Sequence, residues 1–189
     1  MRETTHAPTA LILVDVTNSF FLEGMPNHYA RAGDVLEPLS RLLATARAHD
    51  RIVVHAIEQH YRGFDDYEWR KLPRRHFIGD EDAAIFPGFE PKGPREILIG
   101  KRRYSAFFAT DLALFLCEQK IDRVIIAGVK TNVCIRATAQ DAFANGFDVV
   151  VPREATNSNR PHLAEASLED IERYFGAVVS LQSALEMLT

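Results

Sequence analysis

Cysteine is scarce in this 189-residue chain, which holds only Cys117 and Cys134. Two such residues make no disulfide framework, and neither sits at metal-ligand spacing. No apolar run approaches the roughly 20 residues needed to span a bilayer, and the opening MRETTHAPTA carries charge without the apolar stretch of an export leader. Neither sign of charge dominates: the net charge is −4, and arginine clusters only at Arg74–Arg75 and Arg102–Arg103. That balance leaves no electrostatic footprint for nucleic acid or an anionic membrane. Internal repeats, linkers and low-complexity segments are also missing. The expectation is a cytoplasmic protein whose partner is a small molecule, in a compartment that keeps a cysteine free. The length suits one domain, residues 1–189, with a full hydrophobic core.

What is present is a regular alternation. Short apolar runs occur at Ala10–Val16, Ile52–Ile57, Glu96–Gly100, Arg123–Val129, Phe147–Val151 and Ala177–Leu181. They are β-branched and mostly apolar at consecutive positions, as strands covered on both faces should be. Helical patterns lie between them at Asp34–His49, Phe108–Gln119, Val133–Asn145 and Arg160–Tyr174. Leu112, Phe115 and Leu116 share one helix face behind the candidate caps Thr110 and Asp111, and Asn145–Gly146 is a stop signal. The pattern predicts an α/β fold, a three-layer, doubly wound, mostly parallel sheet of six strands with helices on both faces. From Glu58 to Pro94 the rhythm breaks into about three dozen residues rich in charge, aromatics, Pro and Gly. An excursion of that length leaving a strand's C-terminal end is expected to form a pocket.

The segment VIIAGVKTNVCIRATAQDAF, Val124 to Phe143, carries the chemistry. An apolar strand ends at Gly128, a polar turn follows, and Cys134 opens a helix, where unpaired N–H groups and the helix dipole favour thiolate. A packed, inert thiol is the competing reading. Asp15 ends the first strand and Lys101 follows the third, so all three reach the edge of the sheet where ligands bind in open parallel folds. A carboxylate can take the thiol proton, an ammonium can support the thiolate, and N–H groups in the Lys130–Cys134 turn can receive an oxyanion. Thr131 and Asn132 are expected to shape that turn. Arg74 and Arg75 are candidates to grip a substrate carboxylate, with a solvated pair as the alternative.

Three segments together carry a family resemblance: DVTNSF from Asp15, KRRYSAF from Lys101, and GVKTNVCIRATAQDAFANG from Gly128. The chain resembles the isochorismatase-like cysteine hydrolases, a superfamily of nicotinamidases, N-carbamoylsarcosine amidohydrolases, ureidoacrylate amidohydrolases and isochorismatases. The resemblance implies a triad of Asp15, Lys101 and Cys134, and a cis peptide at Val129–Lys130 that aims the N–H groups of Lys130 and Cys134 at an oxyanion. It also implies a homo-oligomer, dimeric or tetrameric. Cys134 favours C–N hydrolysis through a thioester over the vinyl-ether cleavage of true isochorismatases, which commonly carry a small residue there. Nicotinamidases hold a metal through Asp-x-His and further histidines. Here that place reads Glu58-Gln59-His60, with Asp66, Arg75 and His76 downstream, so no cofactor is expected. One Zn or Fe ion on Glu58, His60 and His76 is the alternative. Thr17 and Ser19 replace the family's usual Gln and second Asp. Thr17, Phe20, Glu58, His60, Tyr61, Arg75, Tyr104 and Phe107 are the expected pocket residues. The rival readings are a metal-assisted deamidase and a silent binding or assembly module.

Overall fold

The computed structural model describes residues 7–189; the first six, part of the opening read above for a leader, lie outside the described residues. The first strand, β1 (Thr9–Val14), is buried at every position, as are β2 (Ile52–Glu58) and β4 (Arg123–Val129). With β3 (Glu96–Lys101), β5 (Asp148–Pro152) and β7 (Ala177–Val179) they form a sheet in the order β3-β2-β1-β4-β5-β7, every pair parallel.

The strands are apolar at consecutive positions because each serves two cores. Ala10, Ile12 and Val14 face one side with Val54, Val124 and Ile126; Leu11 and Leu13 face the other with Val53, Ile125 and Ala127. Over the first face lie α3 (Leu112–Glu118), α4 (Arg136–Ala144) and α5 (Pro161–Asp170), contributing Leu112, Leu116, Ala139, Ala142 and Leu168. Over the second lie α2 (Leu36–Ala48) and α6 (Leu181–Leu188), through Leu39, Leu42, Leu43, Leu181, Ala184 and Leu188. A further short helix, α1 (Asn18–Phe21), follows β1. Each fully buried leucine is worth roughly 1.5–3 kcal/mol in transfer alone, which holds the three layers together.

The sheet has seven strands rather than the expected six. The extra one, β6 (Thr156–Asn157), is polar and two residues long, and pairs with Gly128 and Val129 at the end of β4. Its composition offers no hydrophobic pattern to detect. The run expected as a strand through Leu181 ends at Val179; Ser180 then caps α6 by accepting the Ser183 N–H. The helix expected from Phe108 begins at Leu112, because Thr110 Oγ1 donates back to the Ala106 carbonyl and holds a turn there. The excursion after β2 carries only short helical turns, Tyr67–Arg70 and Glu81–Ala83, and returns toward β1 through a Thr17–Ile85 bridge.

Register places the candidate residues on one rim. Val14 lies opposite both Ala56 and Gly128, and Glu58 lies opposite Lys101. Gly128 is required there: its φ is +122°, and a Cβ would come within 2.1 Å of the Val14 carbonyl oxygen. Gly128→Ala should therefore push β1 and β4 apart and destabilise the fold by at least the roughly 1–3 kcal/mol of an overpacked core. Urea denaturation would measure this, and an unchanged midpoint would contradict the close approach.

Candidate active site

Asp15 leaves β1 with a left-handed φ of +54°, its N–H donating to the Ala56 carbonyl (2.8 Å). That turn aims the carboxylate across the ends of β2 and β3. Oδ1 accepts the Glu58 backbone N–H (2.8 Å), and Oδ2 accepts from Lys101 Nζ (2.8 Å). Lys101 Nζ also lies 3.7 Å from Cys134 Sγ and 3.4 Å from the Arg103 carbonyl. Carboxylate oxygens of Asp15 and Glu58 and the sulfur of Cys134 all fall within 4.8 Å of one another. Asp15 and Lys101 are fully buried and Cys134 nearly so.

Cys134 sits in a widened, π-helical turn, Thr131–Ile135, that runs into α4. Such turns are rare and frequent at functional sites. The Val129–Lys130 peptide before it is cis. The N–H groups of Val133 and Ile135 both return to the Lys130 carbonyl (3.0 and 3.2 Å). Thr131 and Asn132 anchor the turn to the segment around β6: Thr131 Oγ1 meets Thr156 Oγ1 (2.8 Å), and Asn132 Oδ1 accepts from Ser158 Oγ (2.6 Å).

The electrostatics differ from the sequence expectation in one respect. A helix-start thiol beside a lysine was expected to favour thiolate. Instead, burial first, then the negative charge of Asp15, push the Cys134 thiol well above its usual range, and Lys101 offsets them only in part. Lys101 itself is held above its ordinary value: burial opposes its charge, but Asp15, Cys134 and Glu58 outweigh it. Burial and the neighbouring charges thus favour the neutral thiol at Cys134 beside the Lys101 ammonium.

Glu58 anchors a second cluster. Its Oε1 accepts from His76 Nδ1 (2.8 Å) and lies 3.5 Å from His60 Nε2. Burial works against the ionised carboxylate, yet His60, His76 and Lys101 hold Glu58 well below its ordinary range. His60 Nδ1 is fixed by Asp66 (3.0 Å), which also accepts from Arg102 and Arg103 (2.8 Å each). His76 Nε2 contacts Ser19 Oγ (2.7 Å) and Asn27 Nδ2 (3.0 Å), so both of its ring nitrogens are engaged. Glu68 is different: both carboxylate oxygens are buried with no hydrogen-bond partner among the described residues. With Glu58 and His60 it forms a group whose ligand atoms lie within 4.8 Å of one another.

Above Cys134 opens a cavity of about 200 Å³. Of the expected pocket residues, Phe20, Glu58, Arg75 and Tyr104 line it. Asn27, Leu72, Val133 and the Lys130 side chain line it as well, without having been expected. The remaining four do not. Thr17 is buried in the bridge to Ile85, and His60 is buried with its Nε2 3.5 Å from Glu58 Oε1. Tyr61 is 54% exposed under the Arg102 guanidinium, and Phe107 packs into the core on Phe147. Arg74 and Arg75 part company: Arg74 lies on the surface over Trp69 and against Asp65, while Arg75 turns inward. Lys130 was readable as a turn residue from sequence; the reach of its side chain over Phe20 was not.

The chain belongs to the isochorismatase family, whose sequence model, Isochorismatase domain, matches residues 9–183. Among its relatives, maleamate amidohydrolase of Pseudomonas putida is 35% identical over 184 residues, covering 95% of this chain and 86% of the relative. N-carbamoylsarcosine amidase of an Arthrobacter species is 29% identical over 187 residues, covering 95% and 70%. The crystal structure of an isochorismatase-like hydrolase from Alkaliphilus metalliredigens superposes with a TM-score of 0.89 at 30% identity, covering 97% of this chain and all of that one.

The charge assignment has a measurable consequence. Because Asp15 raises the Cys134 pKa, Asp15→Asn should move the pH dependence of Cys134 alkylation to lower pH. Iodoacetamide kinetics against pH, followed by peptide mass spectrometry to separate exposed Cys117, would show the shift; movement to higher pH would refute the assignment.

Proposed function

We propose that this protein is a cysteine amidohydrolase that cleaves the C–N bond of a small amide, ureido or carbamoyl compound through a thioester. The observation that carries this reading is Cys134 Sγ at 3.7 Å from Lys101 Nζ and within 4.8 Å of Asp15, opening onto a cavity of about 200 Å³. Support comes from the relatives, whose names include a maleamate amidohydrolase and an N-carbamoylsarcosine amidase. A vinyl-ether hydrolase or a silent assembly module has no chemical need for a buried thiol, carboxylate and ammonium in contact.

In this reading Cys134 Sγ forms a bond to the substrate carbonyl carbon as its proton passes to Asp15. The backbone N–H groups of Lys130 and Cys134 receive the oxyanion. Asp15 then returns the proton to the departing nitrogen, the C–N bond breaks, and ammonia or an amine leaves. Water attacks the thioester, giving one proton to Asp15; sulfur leaves and regains that proton. The sum is one water consumed per C–N bond. Lys101 keeps its charge throughout and lowers the cost of negative charge on sulfur and carboxylate in turn. Glu58, ionised and fixed by two histidines, is placed to accept a hydrogen bond from the substrate NH₂.

Cys134→Ala should lose turnover by about a thousandfold or more while still binding substrate. Ammonia release across amides, ureas and carbamoyl compounds supplies the activity assay, and intact-mass spectrometry of the wild type during turnover should show an acyl adduct absent from the variant. Near-normal turnover by Cys134→Ala would rule out the covalent route.

A second reading is favoured by Glu68. Its partnerless carboxylate, with Glu58 and with His60 oriented through Nδ1 by Asp66, is a fitting oxygen and nitrogen set for one Zn or Fe ion. Bound there, such an ion supplies a Lewis acid for a substrate heteroatom. Burial, then the charge of Glu58, raises the Glu68 pKa, which also suits a neutral carboxyl with no ion nearby. The first reading expects no stoichiometric metal in protein purified without chelator. About one Zn or Fe per chain by elemental analysis, lost in Glu68→Ala, would establish the second.

A further inference from the structure

The cavity over Cys134 holds more positive than negative charge, and the excess has no carboxylate of its own among the described residues. Arg75 is inward-facing, its side chain 15% exposed, and its Nε is buried without a hydrogen-bond acceptor among the described residues. The nearest carboxylate oxygen, Glu58 Oε1, is 3.9 Å away, too far for a hydrogen bond, and is already committed to His76. Lys130 extends its ammonium over aromatic faces, 5.8 Å from the Phe20 ring centre and 5.5 Å from that of Tyr29. It makes neither a hydrogen bond nor an ion pair among the described residues. Glu58 can balance one of these two cations. The Asp15 charge is matched by Lys101 at 2.8 Å and leaves nothing for the other.

A half-buried cation without a counter-ion is unfavourable unless a ligand supplies one. Burial first, then the charge of Arg75, with a further contribution from Arg160, already depresses the Lys130 pKa, and an arriving anion would offset the repulsion between these cations. A planar guanidinium with a free Nε–H suits a carboxylate, which can accept two parallel N–H groups. The volume, about 200 Å³, admits a small compound and little more.

We propose that Arg75 and Lys130 hold a carboxylate of the substrate, so that the enzyme acts on small acids bearing an amide, ureido or carbamoyl group rather than on neutral amides. This rests on the amidohydrolase reading and narrows it. The acid end of the substrate lies between Arg75 and Lys130, and the amide carbonyl lies over Cys134 with its NH₂ toward Glu58. Arg75 and Lys130 act as specificity determinants, outside the proton transfers.

The test compares kcat/KM for ammonia release from the monoamides of malonic, maleic and glutaric acids with that for the matching neutral diamides. The replacement of carboxylate by carboxamide conserves shape and removes the charge. For the best-fitting chain length the wild type should prefer the acid by about 100-fold or more, since a site built around a polar partner discriminates strongly against its loss. Arg75→Gln and Lys130→Met should each shrink that preference at least tenfold, mainly through KM for the acid, with a smaller effect on the diamide. The wild-type comparison needs no variant to fold. Diamides turned over within tenfold of the acids would overturn the assignment and leave the amidohydrolase reading standing. Failure of every amide, acid or neutral, to release ammonia would remove that reading and this inference with it.

Discussion

Lys101 and Asp15 close an ion pair at 2.8 Å with both side chains fully withdrawn from solvent, and the rim of the sheet is arranged around it. Taking two charges out of water costs several kcal/mol each, and their attraction offsets this only when remaining donors and acceptors are satisfied. Here they are: Asp15 also accepts the Glu58 N–H, and Lys101 reaches the Arg103 carbonyl and the Cys134 sulfur. The pair ties the ends of β1, β2 and β3 to the turn after β4. Loss of either partner would leave a buried uncompensated charge, a defect of about 3–5 kcal/mol. The register of four parallel strands and the geometry of the reacting groups are therefore under one constraint.

That constraint explains why Cys134 rests as a thiol. Sequence reasoning weighed the helix start and the lysine, both of which favour thiolate, but had no access to depth. Burial, which always disfavours the charged form, and a carboxylate within 4.8 Å outweigh them. A neutral thiol beside a carboxylate is a chemically sensible resting state for a buried site. It avoids a further buried anion beside Glu58, with the Asp15 carboxylate within 4.8 Å of the sulfur.

The sheet was legible because its strands are buried on both faces, so runs such as ALILV and RVIIAGV stand out against the helices between them. Polar β6 was not legible, because Thr156–Asn157 pairs through backbone alone, and α6 was hidden by an apolar run that crosses the Ser180 cap. Asp15 follows β1, Lys101 ends β3 and Cys134 lies just beyond β4, so topology brings them to a common edge. The pocket lining is another matter. Tyr61 and Phe107 carry the same kind of side chain as Phe20 and Tyr104, yet one faces out beneath Arg102 and the other packs on Phe147. Their directions are set by irregular backbone in the excursion and in the turn after β3, where no period relates sequence to facing. Arg74 and Arg75 show the same limit: adjacent in the irregular excursion, one lies on the surface over Trp69 and the other lines the cavity.

The excursion thus does two jobs that pull in different directions. It buries polar groups deeply enough to orient Glu58, through His60 fixed by Asp66 and His76 fixed by Ser19, and this requires satisfied hydrogen bonds nearly everywhere. It also leaves buried atoms without partners among the described residues: Arg75 Nε on the cavity wall, the Glu68 carboxylate and Trp69 Nε1. Buried polar atoms without partners are uncommon in folded proteins because each costs about 1–3 kcal/mol. Leaving Arg75 Nε and the Glu68 carboxylate open adds nothing to stability, and the two openings differ in sign. An anion answers Arg75 and Lys130; a proton or a cation answers Glu68. The two sites can therefore be separated by charge, even though Glu58 stands between them.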